Sequence, residues 1–295
     1  MIGFIGTGIM GAFMAQNLLD AGNEMIVFDV RPEATRDLVK AGAKLAERPS
    51  EMAECEAVFI MVNTLAQVQD VVMKKSYGIA PAFKGRKPLR LVIMSTVPPT
   101  GIQSLADLLK DKCIEIIDAP VSGGPIRAKE GNLSVMIGGD EKSVYAVKPY
   151  LDAMGQNIFH IGPLGSGSAM KLVNNILTLS SLYIVPEALR LGLKGGLELK
   201  TMLEVIREST GNNWHFDHWR TYVGFLNMLL EDPRHHDSLK QISVKDVQSA
   251  LEWAEEMEYD TPVLKSVLSL IKVGQSSTGM ITEDLFKRMK ECEDY

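Results

Sequence analysis

The segment GSGSAMKLVNN, residues 165–175, places one cation, Lys171, after a run of glycine, serine and alanine. If it opens a helix, Asn175 stands one turn further along the same face. An ammonium and a carboxamide so placed can serve one substrate: the amine exchanges a proton with a hydroxyl or carbonyl oxygen, and the amide holds the geometry. Gly165, Gly167, Ser168 and Ala169 would then clear space beside Lys171. A lysine near a helix start is also the ordinary composition of a solvated helix, and both readings stay open on the segment alone.

Two other stretches could bind anions. In DAPVSGG, residues 118–124, Ser122 offers a hydroxyl, and Gly123 and Gly124 offer approachable backbone N–H groups to a group such as a carboxylate, although a plain turn has the same composition. Near the N-terminus, GFIGTGIMG carries G-x-G-x-x-G as Gly6, Gly8 and Gly11, after a strand pattern and before a helical one. Gly6 allows the tight turn, Gly8 lets backbone approach a pyrophosphate, and Gly11 lets helix and strand pack closely, with Thr7, Ile9 and Met10 completing the loop. EMIVFD then ends in Asp29. An acid there accepts hydrogen bonds from the adenosine ribose and repels a 2′-phosphate, which favours NAD. Arg31 can instead pair with a 2′-phosphate and admit NADP, or simply lie solvated before Pro32.

The elements that must carry these residues follow from periodicity. Apolar runs at 2–6, 24–29, 57–62, 90–95, 114–118 and 133–138 read as strands buried on both faces, and amphipathic stretches at 9–21, 32–41, 65–74 and 98–111 as helices between them. That alternation predicts an α/β domain over 1–162 with a parallel sheet and helices on both faces. From Ser168 the period is helical for nearly thirty residues, with Pro186 expected to kink the helix. Further helices are predicted at 198–209, 214–230, 240–258, 262–273 and 282–292, so 163–295 reads as an all-helical domain with no further strand.

Composition bounds the partners. The chain has 295 residues, 46% of them hydrophobic and 23% charged, with a net charge of −6. With no basic block against that charge, nucleic acid and anionic membrane are excluded as expected partners, leaving small molecules or other protein chains. No uninterrupted apolar run approaches the roughly eighteen residues of a membrane span, and no basic n-region with a cleavable apolar stretch opens the chain, so a cytoplasmic location is expected. Cys55, Cys113 and Cys292 lie far apart, as free thiols do in a reducing compartment.

Taken together, GFIGTGIMG, Asp29, DAPVSGG, GSGSAMKLVNN and a later VKD at 244–246 resemble the β-hydroxyacid dehydrogenases, the group of 3-hydroxyisobutyrate dehydrogenase and tartronate semialdehyde reductase, in order and spacing across roughly residues 2–250. The resemblance implies a Rossmann-type doubly wound, mainly parallel sheet followed by a helical substrate and oligomerisation domain, with an interdomain cleft and assembly as homodimer or homotetramer. It implies reversible hydride transfer between a nicotinamide and the alcohol or aldehyde carbon of a small carboxylate-bearing substrate. It makes Lys171 the acid/base, gives Asn175 a share in holding the substrate, and puts the carboxylate on Ser122, Gly123 and Gly124. Lys245 would approach cofactor and substrate, and Thr96 would lie against the nicotinamide. Imine-reducing relatives often lack the lysine, and sulfonate-substrate relatives depart from the DAPVSGG loop.

The chain departs from the pattern in three places. MVNT at 61–64 has Asn63 where the family often has proline, which leaves Asn63 as the cofactor-side residue of that loop. EDPRHHDSLKQISVKD has His235, His236 and Asp237 in place of aromatic and glycine residues, and GNNWHFDHW at 211–219 is rich in histidine. His215 and His218 with His235 and His236 would bind a metal only if two distant segments converged; hydride transfer needs none when Lys171 handles the proton, so no metal is expected. Hydroxyisobutyrate, glycerate, threonate-like acids and hydroxymethyl diacids all fit the implied chemistry, and Asn212, Asn213 and His215 tilt the choice towards a second polar group. An NADPH-dependent reductase of glyoxylate or succinic semialdehyde is the alternative enzyme; a noncatalytic cofactor-binding scaffold is the alternative of another class.

Overall fold

The structure is a computed structural model that describes residues 1–85, 87–231, 233–272 and 282–294, the side chains of 233–239 excepted. The chain divides into two compact units, Met1–Val173 and Asn174–Tyr295, which meet inside a helix rather than at the change of pattern near residue 162.

The first unit runs β1 (Ile2–Ile5), α1 (Ile9–Asp20), β2 (Met25–Phe28), α2 (Arg36–Lys40), β3 (Lys44–Leu45), β4 (Ala57–Ile60), α3 (Leu65–Met73), α4 (Ile79–Ala82), β5 (Leu89–Ile93), α5 (Pro99–Leu109), β6 (Ile114–Asp118), β7 (Val121–Ser122), α6 (Gly124–Lys129), β8 (Leu133–Gly138), α7 (Glu141–Met154) and β9 (Gly155–Gly162). The sheet order is β3-β2-β1-β4-β5-β6-β8-β7, with β9 against β8. Strands β1 to β6 pair in parallel, whereas β8 is antiparallel to β6 and β7. Side-chain alternation divides the core: Phe4, Ala57 and Phe59 face one way with Met14, Leu18, Val147 and Leu151, while Ile5, Val58 and Ile60 face the other with Val68, Val72, Ile102 and Leu105. β9 escaped the periodicity reading because most of its residues are half-buried or exposed, so it lacks the continuous apolar run of a central strand.

In α8 (Ser166–Lys194) the helix passes unbroken through Pro186. By length and hydropathy alone it is the one described helix that could cross a bilayer; Leu172, Leu179, Leu182 and Leu189 on it are buried within the molecule. The second unit continues with α9 (Leu199–Arg207), α10 (Trp214–Asp217), α11 (Trp219–Glu231), α12 (Pro233–Glu256), α13 (Pro262–Lys272) and α14 (Glu283–Glu291). The helix predicted over 214–230 is broken at His218, whose backbone (φ −122°, ψ 46°) leaves helical geometry.

Candidate active site

Parallel pairing brings the carboxyl ends of the strands to one edge. Successive strands are laced there by Gly6 N–H to Phe28 O (2.9 Å), Met61 N–H to Ile5 O (2.8 Å), Met94 N–H to Ile60 O (2.9 Å) and Ala119 N–H to Ile93 O (2.8 Å). The glycine loop, Asp29, Asn63, Thr96 and the start of DAPVSGG therefore follow five adjacent strand ends, where ligands bind in open α/β sheets. Ser95, unremarked in the sequence, links two of these loops: its hydroxyl accepts from Val62 N–H at 3.0 Å and reaches Ile60 O at 3.4 Å.

The loop fits a dinucleotide. Gly6 takes φ +88°, and a Cβ there would lie 2.2 Å from Met61 O, so both turn and packing demand glycine. At Gly8 a Cβ would meet nothing closer than Arg31 Nη2 at 3.7 Å, and α1 begins with no capping side chain and no acid in its first turn. Its first N–H groups are thus left for an anion. Asp29 Oδ2 accepts from Thr7 N–H at 2.9 Å, and Oδ1 accepts from Arg31 N–H at 2.9 Å with Arg31 Nε at 3.4 Å. Arg31 therefore partly neutralises the acid that would repel a 2′-phosphate. Asn63 is exposed, and its N–H donates to Gln67 Oε1 at 2.8 Å in the cap of α3, a bond that proline could not make.

Ser122 ends β7, and Gly123 and Gly124 (φ +141° and +69°) lead into α6, all three half-buried. Asp118, at the end of β6, turns its carboxylate onto the start of α8: Oδ1 accepts from Gly165 N–H at 2.8 Å and Oδ2 from Ser168 N–H at 2.6 Å. Burial pushes the Asp118 pKa up while those two N–H groups pull it down. Gly167 has a use other than the one expected. A Cβ at Gly167 would stand 2.3 Å from Met136 O and 2.9 Å from Asp118 O, so this glycine lets the helix start press on the sheet backbone and clears no space for substrate. Lys171 follows one turn later, only 8% exposed.

In the second unit Asn175 Nδ2 donates to Asp246 Oδ2 at 2.7 Å, both side chains being buried. Lys245 Nζ lies 2.9 Å from Asp246 Oδ1, an ion pair between chain neighbours rather than an aligned hydrogen bond. The resemblance gives a role only to the lysine of VKD; the structure adds its aspartate, which meets both Asn175 and Lys245.

The histidine-rich stretch is spent on the fold. Asn213 Oδ1 accepts from His215 N–H at 3.0 Å and meets His215 Nδ1 at 3.2 Å, and Asn212 Nδ2 donates to Asp217 Oδ1 at 2.8 Å. The His215 ring packs edge-on against Tyr222 (4.6 Å), and burial lowers its pKa to about 4. His218 stacks on Trp214 at 4.6 Å. Among the described residues no cluster of His, Cys, Asp or Glu is arranged to hold a metal; the side chains of His235, His236 and Asp237 lie outside them.

Comparison with known proteins places this geometry. Residues 1–162 match the NAD-binding domain of 6-phosphogluconate dehydrogenase, and residues 165–285 match the NAD-binding domain of NADP-dependent 3-hydroxyisobutyrate dehydrogenase. The chain is 34% identical over 274 residues to the NAD-dependent L-serine dehydrogenase of Pseudomonas aeruginosa, covering 92% of this chain and 91% of that one. The chain belongs to the β-hydroxyacid dehydrogenase family. It is an oxidoreductase that moves a hydride between a nicotinamide cofactor, NAD or NADP, and a small hydroxyacid or its semialdehyde. A 3-hydroxyisobutyrate dehydrogenase of the same bacterium is 34% identical over 265 residues, covering 89% of this dehydrogenase and 88% of the relative. The solved 3-hydroxyisobutyrate dehydrogenase of Mycobacterium tuberculosis, determined with L-serine, superposes with a TM-score of 0.79 at 25% identity, over 99% of this dehydrogenase and 98% of the other.

Proposed function

We propose that Lys171 is the proton-transfer residue of this dehydrogenase. The observation that carries the reading is its burial: at 8% exposure it is not the solvated helix lysine that its sequence position also allowed. Lysine is almost never buried without a partner or a task. In the oxidising direction Lys171 Nζ takes the hydroxyl proton as the hydride leaves the carbinol carbon; in the reducing direction it returns a proton to the carbonyl oxygen. The bound nicotinamide supplies or accepts that hydride. Ser122 with the N–H groups of Gly123 and Gly124 holds the carboxylate, Asn175 orients the reacting oxygen from one turn along α8, and Lys245 adds a second cation for the acid. Gly6, Thr7, Gly8, Ile9, Met10 and Gly11 cradle the pyrophosphate, Asp29 and Arg31 share the adenosine ribose, and Asn63 and Thr96 border the nicotinamide side.

A Lys171→Ala protein tests this directly. It should fold, retain NADH binding by fluorescence, and lose about 10³-fold in kcat; near-normal turnover would overturn the assignment. A panel of L-serine, 3-hydroxyisobutyrate and 2-(hydroxymethyl)glutarate, the acids that relatives are named for, with glycerate added, assayed with both cofactors, selects the substrate.

A second cofactor reading has its own support. Because Arg31 lies over Gly8 and pairs with Asp29, the ribose pocket can accept a 2′-phosphate, and an NADPH-dependent semialdehyde reductase is the corresponding activity. We further assign the protein to the cytoplasm, supported by its three free cysteines, and to a homodimer or homotetramer. The assembly is supported by α8, which exposes Val173, Leu177, Ile184 and Leu191 along its length; sedimentation reads its size.

A further inference from the structure

Helix α1 starts at the glycine loop, and its second half makes a contact the cofactor does not explain. Asn17 Nδ2 donates to the carbonyl of Ala128 at 2.7 Å, joining positions 111 residues apart. Ala128 is fully buried in the last turn of α6, where a carbonyl has no intrahelical donor. Besides the asparagine, this carbonyl meets the N–H groups of the turn that closes the helix, those of Glu130 at the C-cap and of Gly131 at 3.3 Å. That turn also lies against the asparagine: a Cβ at Gly131 would stand 3.6 Å from Asn17 Nδ2. Six residues long, α6 begins where Ser122, Gly123 and Gly124 end. One half-buried side chain thus connects the element carrying the cofactor loop to the element carrying the carboxylate loop.

We propose that Asn17 is a positioning residue for the substrate. By holding Ala128 it fixes α6, and with it Ser122, Gly123 and Gly124, at a set place relative to the glycine loop at the other end of α1. The carboxylate of a hydroxyacid is thereby registered against the nicotinamide before hydride transfer, where small misplacements are costly. This rests on the reading of Ser122–Gly124 as the carboxylate site.

The test is Asn17→Asp, which keeps the shape but sets a carboxylate oxygen against the Ala128 carbonyl, assayed with 3-hydroxyisobutyrate or whichever panel acid is turned over fastest. The KM for the acid should rise about tenfold, with kcat changed less than about threefold and NADH affinity by fluorescence within about twofold. Ser122→Ala should raise the same KM, and the double variant should be no worse than about the poorer single one, because both act through one loop. An unchanged KM in Asn17→Asp, strict additivity, or a parallel loss of NADH affinity and melting temperature overturns the positioning role. If Ser122→Ala leaves KM unchanged, the carboxylate reading fails and the role of Asn17 falls with it; if Ser122→Ala raises KM and Asn17→Asp does not, Asn17 alone is refuted. Should Asn17→Asp not fold, Asn17→Ser, neutral and too short to reach Ala128, replaces it with the same outcomes.

Discussion

Asn175 Nδ2 donates to Asp246 Oδ2 at 2.7 Å across 71 residues of chain, with both side chains buried. The bond settles the orientation of the carboxamide: its amino group is turned to the aspartate, so its carbonyl oxygen is the end left to accept from a neighbour or a substrate hydroxyl. Asp246 therefore fixes which end of the Asn175 carboxamide is turned away from it.

Breaking that bond should cost activity more than stability. Asn175→Ala should lower kcat/KM about 100-fold and Asp246→Asn about tenfold, since the second amide can still accept from Asn175. In the double-mutant cycle the double variant should be no worse than Asn175→Ala, so the effects should be non-additive by about 1.4 kcal/mol, the whole of the tenfold loss in Asp246→Asn. Additive losses in kcat/KM would show that the two residues act separately.

Asp118 should matter to folding. Replacing it with alanine strands the Gly165 and Ser168 N–H groups in a dry environment, and the unfolding free energy from urea titration should fall by about 2–4 kcal/mol. Asp118→Asn should not restore it fully, because one N–H would face an amide NH₂. A loss below about 1 kcal/mol in both variants contradicts the role assigned to this carboxylate.

Acid should weaken the fold through His215. Its pKa is lowered from 6.5 to about 4 by burial, so between those values the unfolded chain binds a proton that the folded chain refuses. Stability is therefore highest above about pH 6.5 and falls as pH drops towards 4, by up to about 3 kcal/mol from this one group. His215→Gln should flatten the pH dependence of the urea midpoint over that window; an unaltered slope would show that other groups carry it.

Cofactor preference should move with the Asp29–Arg31 pair. Arg31→Ala should lower kcat/KM for NADPH by about tenfold or more while leaving NADH within about threefold, and Asp29→Ser should raise the NADPH value. If Arg31→Ala depresses both cofactors equally, the arginine serves the loop and not the 2′-phosphate.

Much of this molecule is written locally. The buried runs of β1, β4, β5 and β6, the tight turn at Gly6 and the helical period after Ser168 each depend on neighbours a few residues apart, and the linear pattern carries them. The candidate residues Ser122, Lys171 and Asn175 were legible for the same reason: short motifs keep their spacing in the chain. Their settings were not. Whether Lys171 is buried or solvated, whether Gly167 makes room for substrate or for the sheet, and whether His215 faces a ligand or a core depend on what other segments bring to them. Asp118 reaching Gly165 across 47 residues, Asn17 reaching Ala128 across 111 and Asp246 reaching Asn175 across 71 are products of topology. A hydrogen bond between distant residues leaves no periodic trace in the chain, because its geometry exists only once the strands and helices have closed around it.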